Sequence, residues 1–245
     1  MCTASWLRSD GRFHLLFNRD EARHREGGLA PRVHDSEGVR FVAPVDGRAG
    51  GSWIAVSERG LALALLNLSD GVRPDAAGSR GRLIPRLAAA VDRNDLLSRL
   101  LREPLRDLPP FRIAAFWPHA GIARVSAWNG VGLSHLDLPL DLGLLCSSGL
   151  GDERAREERG EVWDRSRQGP EPWTLDRQRR FHRSHEPRAS AWSVCMHRDD
   201  AETVSYTEVE ISSGEVALRY VDGPPCADRS ASELRLRLRA APTGE

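Results

Sequence analysis

The stretch MCTASWLRSDGRFHLLFNRDEARHR, residues 1–25, decides how the chain is read. Two apolar-rich runs, 3–7 and 13–17, flank Arg8-Ser9-Asp10-Gly11-Arg12, where the Asp-Gly pair is a strong hairpin-turn signal. The pairing predicts that Cys2 opens an edge of a sheet, with the dense Asn18-Arg19-Asp20-Glu21 cluster one hairpin downstream. Methionine aminopeptidase trims Met before small residues, so a mature chain is expected to begin at Cys2, with a thiol and a free α-amine on one residue. A thiol attacks only as thiolate, and its ordinary pKa of about 8.5 leaves little thiolate at neutral pH. An α-amine, with a reference pKa of about 7.7 to 8.0, can take that proton directly or through a water, so one residue supplies attacker and base.

Composition removes many other chemistries. All 35 basic residues are arginine, so Schiff-base and pyridoxal phosphate chemistry, Ser-Lys dyads and the Walker lysine are excluded, since each needs a side-chain amine. A formal net charge of zero argues against a nucleic-acid or acidic-membrane partner. Four cysteines without a CxxC pair signal neither a zinc ribbon nor a disulfide framework. No apolar run reaches the roughly eighteen residues of a membrane span, and no secretory leader pattern is present. The 245 residues, 40% hydrophobic, suffice for one full core. A single cytoplasmic domain over 1–245 is expected, acting on a small-molecule substrate or hydrophobic ligand, without cofactor or metal; the oligomeric state is left open.

Periodicity places further strands at 52–57 and 61–68, turning at Glu58-Arg59-Gly60, then at 112–117, 122–128 and 133–136, and finally at 192–197, 203–211 and 215–221. Helices are expected over 82–91, 95–102, 153–167 and 175–184. At the C-terminus Ser230 and Glu233 offer a capping box while Leu234, Leu236 and Leu238 alternate at strand period; a helix is expected there. Strands in groups separated by helices suggest sheets packed between helical layers.

The segment GGSWIAVSERGLALALLN, residues 50–67, together with Cys2 and the Asn-Arg-Asp-Glu tetrad, resembles the NRDE family, also called the transport-and-Golgi-organization-two family. The resemblance is strong over residues 1–70, weaker near TVSYTEVEI and VALRYVDG, and slight over 75–190. It implies an α+β fold, the four-layer αββα sandwich of N-terminal-nucleophile hydrolases of the bile-salt hydrolase and penicillin V acylase branch. By that resemblance Cys2 is the nucleophile, Arg19 and Asp20 line the site with Asp20 holding the α-amine, and Asn67 steadies an oxyanion. Arg219 sits roughly where bile-salt hydrolases carry a further site arginine. A second site Asn of the acylases has Ser147 or Ser148 as its counterpart. Asn18, Trp53, Ser148 and Arg219 form the candidate substrate-binding set. Four of the site candidates also have a plainer reading: a turn for Asn18, core or rim for Trp53, an outward strand charge for Arg219, a strand end for Asn67.

Two functions follow. One is hydrolysis of a non-peptide carbon–nitrogen amide through an acyl-thioester. The other is a non-catalytic carrier or chaperone for a hydrophobic cargo such as haem or lipid, since members of the resembled family are linked to Golgi organisation, lipid handling and haem mobilisation. Cys195 and His197 fall on one face of the 192–197 run, with His182 and His185 nearby in sequence. Their spacing matches no standard zinc pattern, so packing or surface roles are expected, with Cys226 a loop thiol.

Overall fold

In the computed structural model, which describes residues 2–25, 27–72 and 78–239, the Asp10-Gly11 turn forms as its sequence dictates. Both residues take positive φ, 51° and 71°, the backbone of a tight two-residue hairpin. It joins β1 (Cys2–Ser9) to β2 (Arg12–Ala22), with Ser9 opposite Arg12 and Cys2 opposite Arg19. The next elements are β3 (Gly28–Ser36), β4 (Val39–Asp46), β5 (Ile54–Ser57), β6 (Ala62–Asn67), α1 (Leu83–Leu87) and α2 (Arg93–Arg102). There follow β7 (Phe111–Trp117), β8 (Ile122–Trp128), β9 (Leu133–Asp137), β10 (Leu142–Ser147), α3 (Asp152–Arg167), α4 (Leu175–Arg183), β11 (Ala201–Ile211), β12 (Glu215–Val221) and β13 (Ala231–Arg237).

Two antiparallel sheets result, one in the order β10-β1-β2-β11-β12-β13 and the other a meander from β3 to β9. Strand alternation sorts their side chains. Ala4 and Trp6 of β1 and Phe13, Leu15 and Phe17 of β2 face the partner sheet, where Ile54, Val56, Ala64, Leu66 and Phe116 meet them in one buried cluster. Trp6 and Phe13 each stand 5.1 Å from the Phe116 ring. On the outer faces, Leu83, Ile84, Leu87, Leu96 and Leu100 of α1 and α2 cover Leu63 and Ile113, while Val162, Trp163 and Phe181 of α3 and α4 cover Leu142 and Leu144. The layer order is αββα. No helix among the described residues is long and apolar enough to cross a membrane.

Several expectations are corrected. Cys2 does not open a sheet edge, because β10 pairs along the other side of β1. The β3–β4 hairpin was not anticipated: β3 is an edge strand with Pro31, mostly exposed positions and a register shift between Leu29 and Arg32, features that hide a strand from pattern reading. The C-terminal segment is strand β13, because Leu234 and Leu236 pack on the inter-sheet core at period two. The run 192–197 is not a strand; it carries one isolated bridge, from His197 to Glu202. Of 82–91, only Leu83–Leu87 is α-helical.

Candidate active site

Residues directly opposite one another in an antiparallel sheet project from the same face. Cys2 stands between Ser147 of β10 and Arg19 of β2, and Arg19 is in turn opposite Ser205 of β11. Cys2 and Arg19 of this row line a cleft of about 390 Å³ whose walls also include Asp20, Asp46, Trp53 and Asn67. Cys2 is 7% exposed. Burial pushes its thiol above the usual range; the Asp20 carboxylate adds to that, while a hydrogen bond from the Asp20 backbone and the Arg19 guanidinium pull the other way. A thiol raised in this way needs a base at the moment of attack. Met1 lies outside the described residues, so its removal stays an expectation.

Arg19 is 5% exposed and fixed on two sides. One Nη donates to Asp46 Oδ2 at 2.9 Å, and the guanidinium lies 4.1 Å from the Trp53 ring centre, a cation–π stack. Its other nitrogen, Nη1, is buried and has no hydrogen-bond partner among the described residues. A buried charged donor left unsatisfied is costly unless something fills it. Asp46 is itself organised by Arg25 at 2.9 Å and by the backbone N–H groups of Arg48 and Ala49. The Gly50-Gly51-Ser52-Trp53 motif explains how the ring reaches Arg19. Gly50 has φ of 68°, and a Cβ on Gly51 would meet the Gly81 carbonyl carbon at 2.3 Å, so the chain can pass there only without side chains.

Asp20 alternates to the helical side. Its Oδ1 accepts from Thr203 Oγ1 at 2.7 Å and its Oδ2 from Arg159 at 3.0 Å. Arg159, on α3, is fully buried and also donates to the Cys2 carbonyl at 3.3 Å and to Thr3 Oγ1 at 2.6 Å. It therefore clamps the backbone of Cys2 to the carboxylate of Asp20. Sequence reading missed it because α3 is so polar. The available signal was its helical face, shared with the buried Ala155, Val162 and Trp163.

The other candidates divide. Asn67 and Trp53 line the cleft with Cys2 and Arg19; alternation places Asn67 on the β6 face of Leu63 and Leu65. Asn18 does not line it: its Nδ2 donates to the carbonyls of His182 and Val194, both at 2.9 Å, so it ties β2 to α4 and the segment beyond. Ser148 caps the turn into α3, its N–H donating to Asp152 Oδ1 at 2.7 Å and its Oγ accepting from the Leu150 N–H. Arg219 lies on the outer face of β12, paired with Glu208 at 3.2 Å, because Leu218 and Tyr220 take the inward positions. Ser147, by contrast, is the cross-strand neighbour of Cys2, with a buried Oγ that has no partner among the described residues.

Comparisons with known proteins agree with this architecture. The sequence model of the family described as Transport and Golgi organisation 2 matches residues 1–116. No curated protein matches the sequence. Among solved structures, the Caenorhabditis elegans ortholog of N-acylethanolamine-hydrolyzing acid amidase superposes with a TM-score of 0.55 at 10% identity, covering 93% of this chain and 94% of that one. A variant of the conjugated bile acid hydrolase of Clostridium perfringens gives a TM-score of 0.54 at 13% identity over 98% of both chains. The mutant of that hydrolase with its Cys2 changed to Ala gives 0.51 at 13% identity, covering 100% of this chain and 99% of that one. Residues 1–116 thus resemble the Transport and Golgi organisation 2 family, and over its length the chain shares the αββα fold of these hydrolase structures.

Proposed function

We propose that the chain, once Met1 is removed, is an N-terminal-cysteine hydrolase acting on a non-peptide carbon–nitrogen amide of a small molecule. The observation that carries this reading is the position of Cys2, held between Ser147 and Arg19 on the wall of the cleft. The α-amine of Cys2 accepts the thiol proton and the sulfur attacks the amide carbon. The carbonyl oxygen takes the negative charge and accepts from Asn67, with Ser147 Oγ–H as the second donor. As the carbon–nitrogen bond breaks, the α-ammonium returns its proton to the departing amine, leaving an acyl-thioester. A water then gives its proton to the α-amine, attacks the thioester carbon, and releases the acid and the thiol. Arg19 Nη1, without a hydrogen-bond partner among the described residues, binds a substrate oxygen, and Asp20 with Arg159 fixes the backbone that presents the amine.

A carrier for hydrophobic cargo is less well served by this cleft, whose walls bring together Arg19, Glu21, Arg25, Asp46 and Arg48. The test is turnover of a panel of N-acyl amides with release of the free acid. Wild type hydrolyses at least one, and Cys2→Ala hydrolyses none. Equal rates for the two would remove the proposal.

A further inference from the structure

We infer that His185, Cys195, His197 and Cys226 form a closed tetrahedral site for one zinc ion. It staples the segment between α4 and β11 to the connection between β12 and β13.

The four ligand atoms, one from each side chain, all lie within 4.8 Å of one another. His197 Nε2 faces His185 Nε2 at 3.1 Å, Cys195 Sγ at 3.6 Å and Cys226 Sγ at 3.5 Å. Zinc bonds of about 2.0–2.1 Å to nitrogen and about 2.3 Å to sulfur, set at tetrahedral angles, require separations of about 3.3 Å for N···N and about 3.6 Å for N···S. The observed separations fall close to both. A hydrogen-bonded cluster explains them poorly. An imidazole nitrogen offers one hydrogen-bond direction, as donor or acceptor, yet this one has three potential ligand atoms around it.

The chemistry of the donor set agrees. Two thiolates and two neutral imidazoles bring a divalent cation to zero net charge, which suits a site where Cys195 is fully buried and His185 and His197 half-buried. Four protein ligands complete the tetrahedron and leave no open position, the mark of a structural centre. The exposed Cys226 gives the ion a route in. The same convergence disfavours haem, because four donors drawn this close leave no room for a macrocycle between them.

The staple has work to do here. Apart from the His197–Glu202 bridge, the residues from 184 to 200 make no strand or helix. They are held mainly by local bonds such as Cys195 N–H to the Ser184 carbonyl at 3.0 Å. Between the two central ligands, the Met196 N–H donates to Thr203 Oγ1 at 2.8 Å, and Thr203 Oγ1 donates to Asp20 Oδ1 at 2.7 Å. The ion therefore braces a segment two hydrogen bonds from the carboxylate behind Cys2.

The experiment uses the full chain without a polyhistidine tag, kept reduced and stripped of metal by a chelator, then titrated with cobalt(II). The expected result is saturation at one equivalent, with sulfur-to-cobalt charge-transfer and tetrahedral d–d absorption, displacement by zinc, and a melting temperature that rises on zinc addition. Cys195→Ala and Cys226→Ala each weaken the charge-transfer band, whereas Cys146→Ala leaves it intact. Absence of those bands in folded, reduced wild type would overturn the inference whatever the variants do. So would a native Cys195–Cys226 disulfide, seen as the loss of two hydrogens in protein recovered from cells.

Discussion

In the proposed mechanism Arg19 has two tasks: an Nη bonded to Asp46 fixes its position, and Nη1, without a hydrogen-bond partner among the described residues, is offered to the substrate. Lysine keeps the charge and loses the fork. Arg19→Lys is therefore expected to lower kcat/KM by about 10- to 150-fold, the equivalent of one charge-assisted hydrogen bond of about 1.5–3 kcal/mol; steady-state kinetics on the best amide would show it. Arg159 is of a different kind. It pairs with Asp20 where both side chains are fully buried, and removing one partner of such a pair strands the other charge. Arg159→Met is expected to cost about 3–5 kcal/mol in urea unfolding. Arg19 and Asp20 stood out because the tetrad falls in register with Cys2 across the hairpin; without Cys2 a charged tetrad reads as a solvated strand end. Arg159 did not, because one arginine among many on α3 is distinguished only by the face it occupies.

At the scale of elements, a buried polar chain joins α4 to the first sheet. Asn18 spends both N–H bonds on carbonyls, so its Oδ1 accepts from His182 Nδ1 at 2.9 Å. His182 Nε2 then accepts from Ser5 Oγ at 2.8 Å, and Ser5 Oγ accepts from Gln178 at 2.8 Å. Both ring nitrogens are satisfied only in the neutral form. Burial first, and then the Arg159 charge, lowers the His182 pKa from its usual value to about 3. The unfolded chain takes up this proton near pH 6.5 and the folded chain does not, so the stability is complete above about pH 6.5 and declines as pH falls toward 3. Between pH 7 and pH 5 the wild type should lose about 2 kcal/mol through this group, and His182→Gln should remove that slope in denaturant titrations at the two pH values. Elements were readable where the period was clean, as in β1, β2, β5 and β6. They were hidden where Pro31 broke β3, and misread at β13, where a capping pattern competed with alternating leucines.

At the scale of the molecule, one apolar interior serves both sheets. Phe116 reaches across to Trp6 and Phe13, so its truncation removes contacts from each sheet at once. Phe116→Ala should cost about 3–5 kcal/mol, with far-UV and near-UV circular dichroism lost in a single transition; separate transitions would contradict a shared core. The αββα order was reached through the family resemblance carried by two motifs, at Cys2 to Glu21 and at Gly50 to Asn67, whereas the grouping of strands and helices alone gave only sheets packed between helical layers. The convergence of His185, Cys195, His197 and Cys226 was not legible, since it depends on how two connections of irregular backbone meet in space.

The most direct test of the catalytic reading is to trap the intermediate. Protein recovered from its native cell is mixed with an activated acyl ester, quenched in acid, and mapped by peptide mass spectrometry. The expected result is a chain lacking Met1 with one hydroxylamine-labile acyl group on Cys2, and none on Cys146, which faces away from the cleft and whose thiol burial pushes up to about 11. A retained Met1, or acyl groups that persist unchanged in Cys2→Ala, would contradict it.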